Sequence, residues 1–228
     1  MSDTVAIITG ASQGKGQATA IQLAKDFSEL VLVARNKANL EETAKAVGAT
    51  GVGALVIEVD LAEPVAAQAI VDKALAAFGR IDALLNIAGA VPQIDVFEMT
   101  DRQWDDGLAL KLHGARRLTV AAWPALQALK ETKGSVVLMS GSAIFPKAGA
   151  VGTINAAISA PVKAFPDRGI EDGVQVNSVL PGPVMTGRRR SYLARWAPLH
   201  DRAWKRRQHG FPRRRALRAT ASRRRSPS

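Results

Sequence analysis

Val5-Ala6-Ile7-Ile8-Thr9-Gly10-Ala11-Ser12-Gln13-Gly14-Lys15-Gly16 is the stretch from which the fold is read. Val5 to Ile8 is short, apolar and rich in β-branched residues, the pattern of a buried strand. Residues 17–25 read as a helix. A strand, a glycine turn and a helix in that order make a phosphate-binding arrangement. Gly10 allows the tight turn, Gly14 lets backbone approach a pyrophosphate, and Gly16 lets the helix lie close to the strand. The free N–H groups and positive dipole end of the helix then face the anion. The spacing is G-x-x-x-G-x-G, which differs from the G-x-G-x-x-G of the general dinucleotide fingerprint.

The remaining chain alternates in the same way. Glu29 to Ala34 reads as a second strand ending at Arg35, and residues 36–47 as a helix with Leu40, Ala44 and Val47 on one face. A third strand over 52–59 ends at Asp60. Pro64 suits the first turn of the next helix, and Gly79 stops it. A fourth strand over 81–87 runs into Ala88-Gly89. Thr100 and Gln103 are spaced as a capping box for a helix continuing to Ala122. Residues 134–140 and 174–180 read as fifth and sixth strands, with a helix over 152–165 between them. Such alternation predicts an α/β fold with a parallel, doubly wound sheet. Ligands of such a sheet bind at the carboxyl ends of its strands.

The length of 228 residues suits one α/β domain, and 47% hydrophobic residues can fill its core. The absence of cysteine excludes a disulfide framework and a cysteine metal site, and no metal site is expected. No run approaches 18 apolar residues, so no membrane span is expected. Met1-Ser2-Asp3-Thr4 leads directly into the first strand, so the expectation is a cytoplasmic protein without a signal peptide. The net charge of +11 is unevenly placed. Residues 187–228 hold 15 Lys and Arg against one acid, Asp201, whereas residues 1–186 hold 16 against 19. The chain therefore divides into a dinucleotide-binding domain over 1–190 and a basic, mostly disordered tail over 191–228. Arginine triplets such as Arg213-Arg214-Arg215 read as a reading-frame change in a GC-rich coding sequence, or as a basic arm. Nucleic acid is the less favoured partner, because the tail offers few stacking groups beside its arginines, Trp196 and Trp204 being the largest.

Five patterns stand in order at the strand ends: Thr9 to Gly16, Asp60-Leu61, Asn86-Ile87-Ala88-Gly89, Gly134 to Ser140, and Val176-Asn177 leading to Pro181-Gly182-Pro183-Val184-Met185-Thr186. Together they resemble the short-chain dehydrogenase/reductase family over residues 4–190. The resemblance implies a Rossmann-like fold in three α/β/α layers. It also implies NAD(P)-dependent hydride transfer to or from a small carbonyl or alcohol substrate, and a homo-oligomer. The strand and helix that follow the Thr186 loop in the family have no counterpart here.

The resemblance assigns cofactor roles residue by residue. Gly10, Ser12, Gln13, Gly14, Lys15 and Gly16 would meet the pyrophosphate and its ribose. Asp60 would contact the adenine, with Leu61 packed beside it. Asn86 would tie neighbouring strands together, and Ala88-Gly89 would let the cofactor lie close; Ile87 replaces the family's second Asn. Pro181, Gly182, Val184 and Thr186 would hold the nicotinamide carboxamide. At the end of the second strand Ala34 replaces the acid that bonds both ribose hydroxyls, and Arg35 follows. A guanidinium matches a 2′-phosphate with a bidentate fork, so NADP is expected ahead of NAD.

The catalytic pattern departs from the family. Its reaction uses a Tyr acid/base, a Lys four residues later, a Ser and an Asn, the Lys lowering the Tyr pKa from about 10. Aligned through Gly152 to Ala160, the Tyr and Lys positions fall on Ile154 and Ile158, and the chain's single tyrosine is Tyr192. Lys111 stands at the Asn position, and Ser140 and Ser142 straddle the Ser position. The candidates for chemistry are therefore Ser140, Ser142 and Lys111. Three readings stay open: a reductase using Lys111 or an ordered water, a catalytically silent NADP binder, and a basic-tailed nucleic-acid-interacting protein. Pro161 falls inside the expected 152–165 helix, where an interior proline costs about 3 kcal/mol and predicts a kink.

Overall fold

The computed structural model describes residues 3–92, 96–129, 133–141 and 149–196. Six strands form one parallel sheet. β1 (Val5–Thr9) lies between β2 (Glu29–Ala34) and β4 (Ala83–Asn86); β3 (Gly53–Glu58) flanks β2, and β5 (Ser135–Met139) and β6 (Gln175–Val179) continue beyond β4. The direction of winding reverses between β1 and β4, which opens a crevice at their carboxyl ends.

Side-chain alternation explains the two helical layers. Val5, Ile7, Val31 and Val33 pack with Ile70 and Val71 of α3 (Ala66–Phe78) and with Leu118, Ala122 and Leu126 of α5 (Ala115–Gln127). Ala6, Ile8, Leu30 and Leu32 pack on the opposite face with Ala20 of α1 (Gly14–Leu23) and with Leu40 and Val47 of α2 (Lys37–Gly48). Both faces of β1 are therefore covered, which is why it is an unbroken apolar run. β5 is only partly covered, and β6 alternates exposed and half-buried at the sheet edge.

Helix ends follow the local chemistry. Asn36 Oδ1 caps α2 by accepting from Asn39 N at 2.9 Å. Thr100 and Gln103 form the expected capping box on α4 (Asp101–Leu108). The helix expected to continue to Ala122 is instead interrupted. α4 passes into a π-helical turn over Ala109–Gly114 before α5 begins, and such turns often mark functional sites.

A second difference concerns the helix expected over 152–165. It is two helices, α6 (Gly149–Ser159) and α7 (Pro161–Asp172). Pro161 opens α7, where its missing N–H has no intrahelical partner to lose, so the expected interior cost does not arise. The proline inside that helix is Pro166. The expected tail boundary at 190 falls within α8 (Gly187–Trp196), whose Arg189 guanidinium lies 5.3 Å from the Tyr192 ring centre. Residues 197–228 lie outside the described residues. Among those described, no helix is long and apolar enough to cross a membrane.

Asp172 joins α7 to α5. It accepts from Trp123 Nε1 at 2.7 Å, Arg168 Nε at 2.6 Å and Gln127 Nε2 at 2.9 Å, while Trp123 stacks on Phe165. The Trp123 N–H bond, followed by the Arg168 bond, holds the Asp172 carboxyl below the ordinary carboxylate range. A carboxyl depressed by folding stabilises the fold above its unfolded pKa of about 3.9, and that contribution is lost as pH falls through the folded value. Asp172→Asn should therefore lower Tm at pH 7. The gap to wild type should close in melts recorded progressively further below pH 4.

Candidate functional site

The hydroxyl of Thr9, the last residue of β1, holds the crevice together. It accepts from Ile87 N at 2.9 Å and Ala88 N at 3.0 Å, and lies 3.3 Å from Leu85 O, to which it donates. The strand-tying role expected of Asn86 thus belongs to Thr9. Asn86 instead donates from Nδ2 to Thr119 Oγ1 of α5 at 3.2 Å, because its side chain points into the helical layer. Its buried Oδ1 has no partner among the described residues. The sequence signal for Thr9 was a lone hydroxyl closing a four-residue apolar run.

The glycine turn sits directly on this junction. Gly10 has φ +70°, and a Cβ there would stand 3.0 Å from Ala88 Cα. A Cβ on Gly16 would stand 2.1 Å from the Gly10 carbonyl oxygen, so no side chain fits between helix and turn. Gly14 faces Thr186, whose methyl would lie 3.6 Å from an added Cβ. The fold therefore brings together Gly10, Gly14, Gly16, Ala88 and Thr186 from three loops. No side chain caps α1, and its first turn carries no acid, which suits an incoming anion. Ser12 and Lys15 are half-buried beside the turn, and Gln13 is exposed. Thr43 of α2 is a positioning residue that sequence reading missed. Its buried hydroxyl donates to Ala11 O at 2.9 Å and accepts from Gln17 Nε2 at 3.2 Å. The only hint was a polar residue on the inner face between Leu40 and Val47.

Arg35 and Asp60 meet where β2 and β3 end, with Nη1 to Oδ2 at 3.4 Å. The Arg35 side chain is 63% exposed, so the pair orients the guanidinium without holding it firmly. Asp60 also accepts from Ala62 N at 3.0 Å, so it stabilises the turn as well as facing Arg35. Leu61 is buried in the main core, against Gly114. After β6, Pro181 is half-buried, Gly182 and Val184 are exposed, and Thr186 N donates to Val184 O at 2.9 Å. Uncapped N–H groups, backbone shelves that exclude Cβ atoms, and a cation at the end of β2 fit a dinucleotide. Residues 10–16, 35, 60, 86–89 and 181–186 would hold it.

At the other end of the crevice, the π-helical turn carries Lys111 across Gly89. Lys111 Nζ donates to Asn155 Oδ1 on α6. Ser140 is buried, and its Oγ donates to Asn155 O at 2.7 Å. Ser142 lies outside the described residues. Ile154 is completely buried with Val91 and Met99, against Trp104, Leu108 and Val151. Ile158, 3% exposed, belongs to the main core with Leu138 and Ala115. Both isoleucines therefore serve packing. His113, on the same turn as Lys111, is exposed.

The profile of the short chain dehydrogenase family matches residues 4–195. Among curated relatives, the short-chain reductase protein NovJ of Streptomyces niveus is 32% identical over 186 residues, covering 81% of this chain and 70% of its own. Among solved structures, L-sorbose reductase from Gluconobacter frateurii, complexed with NADPH and L-sorbose, superposes with a TM-score of 0.81. It is 28% identical, with 91% of this chain and 80% of that one covered. A metagenomic short-chain oxidoreductase in complex with NADP gives a TM-score of 0.74 at 29% identity, with 81% and 84% covered. The chain belongs to the short-chain dehydrogenase/reductase family and is an NAD(P)-dependent oxidoreductase of that type.

Proposed function

We propose that this chain reduces small carbonyl compounds, and oxidises the corresponding alcohols, with NADP(H) in preference to NAD(H) and without a tyrosine–lysine pair. The observation that carries the cofactor preference is Arg35 at the end of β2, turned toward Asp60 and largely open to solvent. An acid there would repel a 2′-phosphate, whereas a guanidinium binds one through charge-assisted bonds. The NADPH and NADP in the two solved relatives support the same reading.

When bound, the cofactor supplies or accepts the hydride. Gly89 and Thr186 lie where its nicotinamide end would rest. Lys111 is the ionisable group beside Gly89 and is the proposed proton donor to the carbonyl oxygen. Ser140 holds the α6 backbone at Asn155 and thereby shapes the wall of the site. Val91, Met99 and Trp104 pack with Ile154 of α6 into an apolar cluster, and the reading takes a small, weakly polar substrate. The reading includes a cytoplasmic homo-oligomer, with no part for nucleic acid.

The burial of Ile154 and Ile158 favours a second reading, a cofactor binder without turnover. An NADPH-consumption assay over a panel of small aldehydes and ketones separates the two. Turnover supports the enzyme, and tight NADPH binding with no turnover supports the silent binder.

Two substitutions test the cofactor site. Arg35→Asp should reverse the preference, with the NADPH Kd rising at least tenfold and the NADH Kd falling, both by fluorescence titration. Equal wild-type affinity for NADPH and NADH would contradict the proposal. Thr9→Val keeps the shape but takes the hydroxyl acceptor from Ala88 N–H and leaves Ile87 N–H with only the Leu85 carbonyl. Denaturant unfolding should show a loss of about 2 kcal/mol, and NADPH affinity should fall with it.

A further inference from the structure

We infer that Asn155 is the positioning residue for Lys111, an inference that rests on the proton-donor reading of Lys111 given above. The contact spans α6 and the π-helical turn, and two glycines make room for it. The Lys111 stem crosses Gly89, where a Cβ would meet its Cδ at 3.2 Å and its Cε at 3.3 Å. The Asn155 amide lies on Gly141, where a Cβ would meet Nδ2 at 2.6 Å. A side chain at 89 would displace the lysine, and one at 141 would displace the amide.

The amide is fixed from behind. The Asn155 backbone carbonyl accepts from Ser140 Oγ at 2.7 Å and from Ser159 Oγ at 3.1 Å. Asn155 is itself 4% exposed. A lysine stem has four rotatable carbons and loses up to about 2 kcal/mol of rotamer entropy when held. A buried acceptor at its tip directs one ammonium proton and thereby sets where the others point. The π-helical turn adds the residue of phase that puts Lys111 over Gly89 while α4 and α5 keep their faces on the core.

In carbonyl reduction, the carbonyl carbon takes the hydride that the reduced cofactor supplies, and the C=O π pair moves to oxygen. That oxygen takes a proton from Lys111 Nζ, and the resulting neutral amine is reprotonated by solvent. Asn155 touches no reacting atom. It acts by keeping Nζ in place.

The test uses the full-length chain. Asn155→Leu keeps the volume and removes the acceptor. Asn155→Ala suits the helix if the leucine variant does not fold. Expected is a fall in kcat of about 100-fold with KM and the NADPH Kd within about twofold, and recovery to within about tenfold in Asn155→Asp. In a Lys111→Met background the same change should cost nothing further. A readout that needs no turnover is the rate of acetylation of Lys111 by acetic anhydride, followed by mass spectrometry. It should rise at least fivefold in Asn155→Leu or Asn155→Ala, with Lys25 and Lys45 unchanged. An unchanged acetylation rate, or equal losses from Asn155→Leu with and without Lys111, overturns the inference. Full kcat in Lys111→Met instead overturns the proton-donor reading, and the acetylation rate then still reports whether Asn155 holds the ammonium.

Discussion

Backbone packs on backbone where the first strand ends, and the site follows from that contact. A Cβ on Gly16 would stand 2.1 Å from the Gly10 carbonyl, and a Cβ on Gly10 would stand 3.0 Å from Ala88 Cα. Only with hydrogen at both positions can α1 approach the β1 turn while that turn rests on the loop after β4. Thr9 closes the junction with a hydroxyl that serves both Ile87 and Ala88. Losing that hydroxyl would strip the half-buried Ala88 N–H of its acceptor and leave Ile87 N–H only the Leu85 carbonyl, which costs more than most surface substitutions. Thr43 adds the third support by fastening Ala11 to α2.

This part of the molecule was legible because its constraints are local. Val5 to Gly16 states a strand, a turn and a helix within one short window, and Glu29–Ala34 matches β2 residue for residue. The Thr100–Gln103 capping box needs only spacing three apart. The parts that were not legible depend on distant partners. The π-helical turn is a change of hydrogen-bond register set by what α4 and α5 pack against. Pro161 has the same letter whether it interrupts a helix or opens one. Asn155 gains its role from Gly89, Lys111, Ser140 and Gly141, none of them its sequence neighbour.

Ile154 and Ile158, the positions on which the resemblance would put the acid/base pair, are both packing residues. Each buried isoleucine contributes about 1.5–3 kcal/mol of burial, and the two fill different apolar clusters. A lysine at 158 would enter the main core and a tyrosine at 154 would press on Gly107, where an added Cβ already stands 2.7 Å from Ile154 Cδ1. These positions have been taken over by packing. In the proposed reading the polar chemistry of the crevice rests instead on Lys111 and on Asn155, the neighbour of Ile154 on α6. The fold thus follows the family, and the proposed source of the proton does not.

One crevice, at the carboxyl ends of β1, β2 and β4, is proposed to hold the cofactor and to present Lys111 to it. Hydrogen exchange of the full-length protein, with and without saturating NADPH, tests this most directly. The expected result is slowed exchange in peptides covering Thr9–Gly16, Ala34–Asn36, Asn86–Gly89 and Ala109–Gly114, with the α7 peptide Pro161–Asp172 unchanged. Slowed exchange confined to other segments, or none at all, would contradict it.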